Sequence, residues 1–136
     1  MINNERHKKK QMSIVSYLAP LINKNKKIKL FKSHNKKFKD GHQKRDFVHV
    51  YDIVDGLIKI ALTDINHTDA WELGTGINYS INELFKYFKD KFDVKSINIP
   101  DQPGNYRQTL RENDDSLKLL DWKPMDRLKD HINSFN

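Results

Sequence analysis

The 136 residues carry 25 Lys or Arg against 18 Asp or Glu, for a net charge of +7, and contain no cysteine. The missing thiol excludes disulfides, zinc–thiolate sites and cysteine nucleophiles, and it fits a reducing cytoplasm. No apolar run approaches the roughly 18 residues that span a bilayer, and no apolar signal core follows the basic N-terminus, so neither a membrane partner nor secretion is expected.

In chain order, residues 1–10 read as polar and irregular. Met12, Val15, Leu18 and Ile22 recur at helical spacing over 11–23, with Pro20 set to kink or end that helix. Residues 28–32 alternate and predict a strand. A basic loop over 33–44 follows, with Asp40-Gly41 as its turn. Residues 46–50 read as a short strand or extended segment, and 52–62 as an apolar-striped helix with Asp52 as N-cap. Residues 70–73 predict a strand that stops at Gly74-Thr75-Gly76. Ser80 and Glu83 form an S-x-x-E capping box for a helix over 81–92. Residues 95–99 predict a strand ended by Pro100. Asp114 and Asp115 open a short helix through Leu120, which Trp122-Lys123-Pro124 breaks. An amphipathic helix then runs to about Asn133. Mixed short strands and helices place the chain in the α/β class.

The charge is uneven. Residues 1–45 hold 14 Lys or Arg against Glu5 and Asp40, while 46–136 are net acidic. A basic first third points to an anionic partner: nucleic acid, a membrane surface or a phosphorylated small molecule. A composition rich in Lys, Asn and Ile throughout would give the same excess. Nucleic acid fits less well, because only Tyr17, Phe31 and Phe38 interleave with the basic residues.

Three clusters could carry chemistry. Asn4 to Lys10 gathers lysines whose mutual repulsion lowers ammonium pKa values, as a proton-transfer group needs; a solvated tail is the bland reading. Arg45 offers a bidentate fork for a diphosphate or a surface ion pair, with Asp46 either orienting it or capping a turn. Tyr106 could contact a ligand or pack. Gly74-Thr75-Gly76, the sole G-x-G, reads as a turn rather than a phosphate cradle. The six histidines show no metal spacing, so no metal is expected.

Gln43-Lys44-Arg45-Asp46-Phe47-Val48-His49-Val50, then Asp52 and an apolar helix, resembles the RDF(V/I)-x-V-x-D signature of extended short-chain dehydrogenase/reductases, the NAD-dependent epimerase/dehydratase family. Gly74-Thr75-Gly76 resembles that family's glycine turn, and Leu120-Asp121-Trp122-Lys123-Pro124 its LGW-x-P segment. Asn4-Glu5-x-His7-Lys8 with Met12-Ser13-x-Val15, and Leu30-Phe31-Lys32-Ser33 with Asp40-Gly41-x-Gln43-Lys44-Arg45-Asp46-Phe47, are similar to segments of ADP-glycero-manno-heptose 6-epimerases.

The resemblance implies oxidation and re-reduction at C6 of a heptose by bound NADP or NAD. It implies Lys8, or Lys9 in its place, as a catalytic base that also touches the cofactor. Gln11, Phe31, Lys32, Ser33 and His34 would line the substrate site, Arg45 would grip the diphosphate, and Tyr106 would contact the nucleotide sugar. An ADP-sugar or another nucleotide sugar is the implied ligand. The family's cofactor-binding motif G-x-x-G-x-x-G does not occur here, and the one Y-x-x-x-K, Tyr87 to Lys91, falls inside the helix over 81–92. The chain is therefore expected to be a single substrate-binding domain over 1–136, inactive alone, that meets a separate Rossmann half or forms a homo-oligomer.

Overall fold

The computed structural model describes residues 15, 18, 27–32, 39–100 and 106–135; for Lys29 and Phe31 the description covers the backbone alone. The segment 1–14, with Lys8, Lys9 and Gln11, and the segment 33–38, with Ser33 and His34, lie outside the described residues.

Among the described residues the elements follow in order: β1 (Ile28–Phe31), β2 (Lys44–Asp46), α1 (Val50–Leu62), β3 (Asn78–Ser80), α2 (Ile81–Phe92), β4 (Ser96–Ile99), α3 (Asp115–Leu119) and α4 (Leu128–Asn133). β1 pairs in parallel with β4, Ile28 opposite Ser96. β2 pairs antiparallel with β3, Arg45 opposite Tyr79. The mixed α/β reading therefore holds, and the described strands form two small sheets.

The core gathers between these sheets and the helices. Val15 and Leu18, both helical, join Ile28 and Leu30 of β1, Leu84 and Phe88 of α2, Val94, and Leu128 and Ile132 of α4. Phe88, Ile28, Leu84 and Ile132 are wholly buried. At about 25 cal/mol per Å² of apolar area, each such side chain contributes about 1.5–3 kcal/mol. On α2 the apolar residues follow the helical repeat, and its N-terminus carries the expected box: Ser80 Oγ accepts from Glu83 N at 3.1 Å while a Glu83 carboxylate oxygen accepts from Ser80 N at 2.7 Å. The Ser80 amide, and the Ser80 hydroxyl that donates to the same oxygen at 2.7 Å, lower the Glu83 carboxyl pKa. α2 ends on Asp93 in the left-handed region, φ 46°.

The Asp40-Gly41 turn forms as expected, and it is locked onto α2. Gly41 has φ +74°, and a Cβ there would stand 1.9 Å from Asn82 Oδ1. Asn82 donates its amide to Gly41 O at 3.0 Å and its Nδ2 to Asp40 O at 3.2 Å.

Two boundaries differ from expectation. Residues 46–50, read as a short strand or extended segment, are strand only at Asp46: the strand lies at 44–46, where β3 pairs on one side and residues 107–109 bridge on the other. α1 starts at Val50, not Asp52: His49 is its N-cap, taking Tyr51 N on Nδ1 at 3.2 Å and Ile53 N on its carbonyl at 3.1 Å. Asp52 is instead buried in the first turn, where it accepts Met125 N at 3.2 Å and Arg127 Nε at 3.2 Å. Its carbonyl takes Trp122 Nε1 at 2.8 Å.

Residues 70–73 form no strand. No described strand lies alongside, and the segment is held by other groups. Glu72 Oε2 accepts Glu112 N at 2.6 Å, and Glu72 O accepts Ser116 Oγ at 2.7 Å. α3 closes on Asp121, whose φ of 47° explains why a short polar residue stands in place of glycine before Trp122.

Two histidines are built into this frame. His67 stacks on Trp71 with centroids 4.0 Å apart. Its Nδ1 meets Asp69 O at 2.7 Å and its Nε2 meets Asp115 at 3.0 Å, which raises its pKa. His131 packs between His49 and Phe135, and burial lowers its pKa.

Candidate functional site

β2 is the middle of a small ladder. On one edge it pairs with β3. On the other, Lys44 N donates to Arg107 O at 2.8 Å, Thr109 N donates to Lys44 O at 3.1 Å, and Asp46 N donates to Thr109 Oγ1 at 3.0 Å. Arg45 therefore sits on backbone fixed from both sides.

The Arg45 side chain is half-buried, and desolvation lowers its pKa, though a guanidinium stays charged at neutral pH. Its Nη1 donates to Lys44 O at 2.7 Å. A cation that has shed part of its water binds an anion more strongly than one in bulk solvent. Opposite it, Tyr79 donates its hydroxyl to the Asp126 carboxylate, which pushes the Tyr79 pKa well above its ordinary value. That phenol stays protonated and serves as a donor, not a base.

Asp46 does something different from orienting its neighbour. Its Oδ1 accepts Thr75 N at 3.0 Å and Thr75 Oγ1 at 2.6 Å; its Oδ2 accepts Gly76 N at 3.0 Å and Arg111 N at 3.3 Å. The amides of the Gly74-Thr75-Gly76 loop are therefore filled by the protein's own carboxylate. The close approach demands glycine, since a Cβ on Gly74 would stand 2.6 Å from Asp46 Oδ2. Arg111 completes the knot, donating Nε to Gly74 O at 2.9 Å and Nη1 to Asn113 O at 2.7 Å. The loop does not fit a dinucleotide pyrophosphate, whose charge would oppose Asp46.

Of the residues singled out from sequence, Arg45 and Tyr106 belong to one neighbourhood. Tyr106 is 75% exposed and enters the 107–109 segment that flanks β2. Lys32 is exposed at the end of β1, its amide donating to Ile99 O at 2.8 Å; the ladders do not join it to Arg45. Phe31 pairs with Ile99 through its backbone. Arg111 and Thr109, which fix the site's frame, were not foreseen. Their bonds to Asp46 span more than sixty residues, and no short motif signals them. Among the described residues no three His, Asp or Glu gather as a metal site, and no helix is long and apolar enough to cross a membrane.

Residues 3–74, more than half of the chain, match the NAD dependent epimerase/dehydratase family. The chain belongs to that family. An ADP-L-glycero-D-manno-heptose-6-epimerase of Fusobacterium nucleatum is 30% identical over 143 residues, covering 96% of this chain and 43% of the relative. A UDP-glucose 4-epimerase of Bacillus subtilis is 43% identical over 53 residues, 38% of this chain and 16% of the relative. Among solved epimerase structures, the Bacillus cereus UDP-glucuronic acid 4-epimerase in complex with UDP-glucuronic acid and NAD superposes with a TM-score of 0.77 at 20% identity, over 92% of this chain and 38% of that one. The Methanobrevibacter ruminantium UDP-N-acetylglucosamine 4-epimerase, in complex with UDP-N-acetylmuramic acid, gives 0.77 at 21% identity, over 97% and 40%. The chain thus spans less than half the length of these epimerases.

Proposed function

We propose that this chain is the sugar-nucleotide-binding portion of an NAD(P)-dependent nucleotide-sugar epimerase of the ADP-glycero-manno-heptose 6-epimerase type. Arg45 grips the diphosphate, and Tyr106 contacts the nucleotide sugar. Phe31, Lys32, Ser33, His34 and Gln11 complete the substrate site. Lys8, with Lys9 as the alternative, moves the proton during inversion at C6 and touches the cofactor. The observation that carries this reading is Arg45 itself: a partly desolvated cation on backbone held from both edges, next to the segment that Tyr106 enters. A fixed fork of donors suits a diphosphate better than a mobile surface lysine does.

The nicotinamide cofactor supplies the hydride chemistry when bound. The described residues offer it no pyrophosphate cradle, because Asp46 occupies the glycine loop. The chain alone is therefore expected to turn nothing over. A second reading, a UDP-sugar as substrate, draws support from the segment similar to the Bacillus subtilis UDP-glucose 4-epimerase.

The test joins this chain to the preceding portion of the Fusobacterium relative and titrates ADP-, UDP- and GDP-sugars calorimetrically. An ADP-sugar should bind most tightly. Arg45→Ala should weaken it about 10–100-fold, the worth of one or two hydrogen bonds to a charged partner. Preference for a UDP-sugar selects the second reading. An Arg45→Ala variant that binds every nucleotide sugar as well as the parent removes the diphosphate role.

A further inference from the structure

His67 lies in the loop that joins α1 to the glycine turn, and both nitrogens of its ring are committed. Nδ1 stands 2.7 Å from Asp69 O, and Nε2 stands 3.0 Å from an Asp115 carboxylate oxygen. A carbonyl and an ionised carboxylate are acceptors only. Each bond therefore needs a proton on its nitrogen, and only the imidazolium carries two. Turning the ring over would set C–H groups against both oxygens and satisfy neither. The side chain is 10% exposed. It stacks on Trp71 with the two planes 23° apart, and an indole face favours a cation over it. The charged groups that face the ring are Asp69 from its own loop and Asp115 from α3, with no cation among the described residues. The Asp69 carbonyl first, and then Asp115, raise the ring's pKa, while partial burial acts against them.

A second tie lies beside the first and does not depend on that proton. Glu72 accepts Glu112 N at 2.6 Å and the Asn113 side-chain amide at 3.1 Å, and its carbonyl takes Ser116 Oγ at 2.7 Å. The start of α3 is thus held whether or not His67 is charged. The turn at 67–69 has no such second hold. Neither Thr68 nor Asp69 makes a backbone–backbone hydrogen bond to a described residue.

We propose that His67 is a proton-operated latch on the 67–69 turn. Charged, the ring reaches from Asp69 O to Asp115 and closes the turn onto the first residue of α3. On giving one proton to solvent, the ring keeps a single N–H. The Asp115 carboxylate is the stronger acceptor and retains the proton on Nε2. Nδ1 then presents a bare lone pair to the Asp69 carbonyl, acceptor against acceptor, and the Asp69 and Asp115 carboxylates lose the cation between them. The turn opens while Glu72 keeps α3 in place. The sign follows from the raised pKa: the closed form is complete below the ordinary value of 6.5 and is lost as pH rises through the raised one. The latch belongs to this chain's own residues and stands apart from the epimerase reading.

The test is a pH titration of the full 136-residue chain, isotope-labelled and followed by nuclear magnetic resonance from about pH 5 to 9. The His67 ring should titrate above the ordinary value, and its nitrogen shifts at high pH should be those of the Nε2–H tautomer. The amides of 68–70 should shift with the same midpoint, and those of 112–117 should move far less. Trp71 emission should rise with that midpoint, because an imidazolium quenches a stacked indole more than the neutral ring does; Trp71→Phe should remove the rise. His67→Gln should abolish the response of the 68–70 amides with the circular dichroism unchanged, and Asp115→Asn should lower the midpoint of the ring. Where His67→Gln does not fold, Asp115→Asn carries the comparison. The proposal is overturned by a ring that titrates at or below the ordinary value, by the Nδ1–H tautomer at high pH, or by 68–70 amides that ignore the His67 midpoint. A response that survives His67→Gln, or a midpoint that Asp115→Asn leaves in place, overturns it equally.

Discussion

Replacing Asp46 by alanine removes the acceptor for four donors at once: Thr75 N, Thr75 Oγ1, Gly76 N and Arg111 N. A hydrogen bond to a charged group is worth about 1.5–3 kcal/mol, and a donor left unpaired in a buried site costs a similar amount. The site is half-buried, so water re-solvates some of the donors, and the expected net loss is about 2–4 kcal/mol rather than the full sum. With a urea slope of about 2 kcal/mol/M, the unfolding midpoint should fall by about 1–2 M. Trp122, fully buried, and Trp71, stacked on His67, report the transition by fluorescence. Asp46→Asn sharpens the test. All three backbone partners are donors, so one face of the amide must aim its own NH₂ at an N–H group. The asparagine variant should therefore lose at least half of what the alanine variant loses, although it is nearly isosteric. A midpoint shift below about 0.2 M in either variant would refute the idea that this carboxylate organises the glycine loop.

Two further outcomes follow from the same geometry. The His67 pKa is raised by Asp69 O and Asp115, so its contribution is fully present below the ordinary histidine value of 6.5 and is lost as pH rises through the raised one; His131, lowered by burial, has the opposite sign and loses its contribution as pH falls below 6.5. Urea midpoints at pH 5, 6, 7 and 8 should show His67→Gln losing stability mainly at the acid end and His131→Gln mainly at the alkaline end, and coincident profiles would contradict both assignments. Gly41→Ala should cost about 1–3 kcal/mol, since the residue combines a left-handed φ with the Asn82 contact, and Asn82→Ala in the same chain should recover part of it.

What the sequence makes legible here is what short-range chemistry decides. The Ser80–Glu83 box, the Asp40-Gly41 turn and the short helix after Asp114 each depend on residues within a few positions, and each forms where the pattern places it; β1 and β4 also form where their alternation places them, each completed by the other. Arg45 could be singled out because it stands inside the signature shared with the family, while the sequence left its role open between a diphosphate fork and a surface ion pair. Asp52 could not be read as buried, because its partners Met125 and Arg127 lie more than seventy residues away. Residues 70–73 look like a strand by composition, but a strand is defined by its partner, and none of the described segments provides one. Asp46 was open between two roles, and the loop it caps decided between them. Lys8, Lys9, Gln11, Ser33 and His34 lie outside the described residues, so their roles rest on the resemblance alone.

The knot at Asp46 also sets an order of events during synthesis. Its first donors, Thr75 and Gly76, follow 29 and 30 residues later, and Arg111 follows 65 residues later. At about 5–20 residues per second, Arg111 leaves the ribosome about 3–13 s after Asp46 does. Until then the Asp46 carboxylate has at most the Thr75 and Gly76 donors, with water in place of the Arg111 amide. The segment that ends the wait, 107–111, is also the one that pins β2, so the ladder carrying Arg45 is among the last parts of this chain to settle.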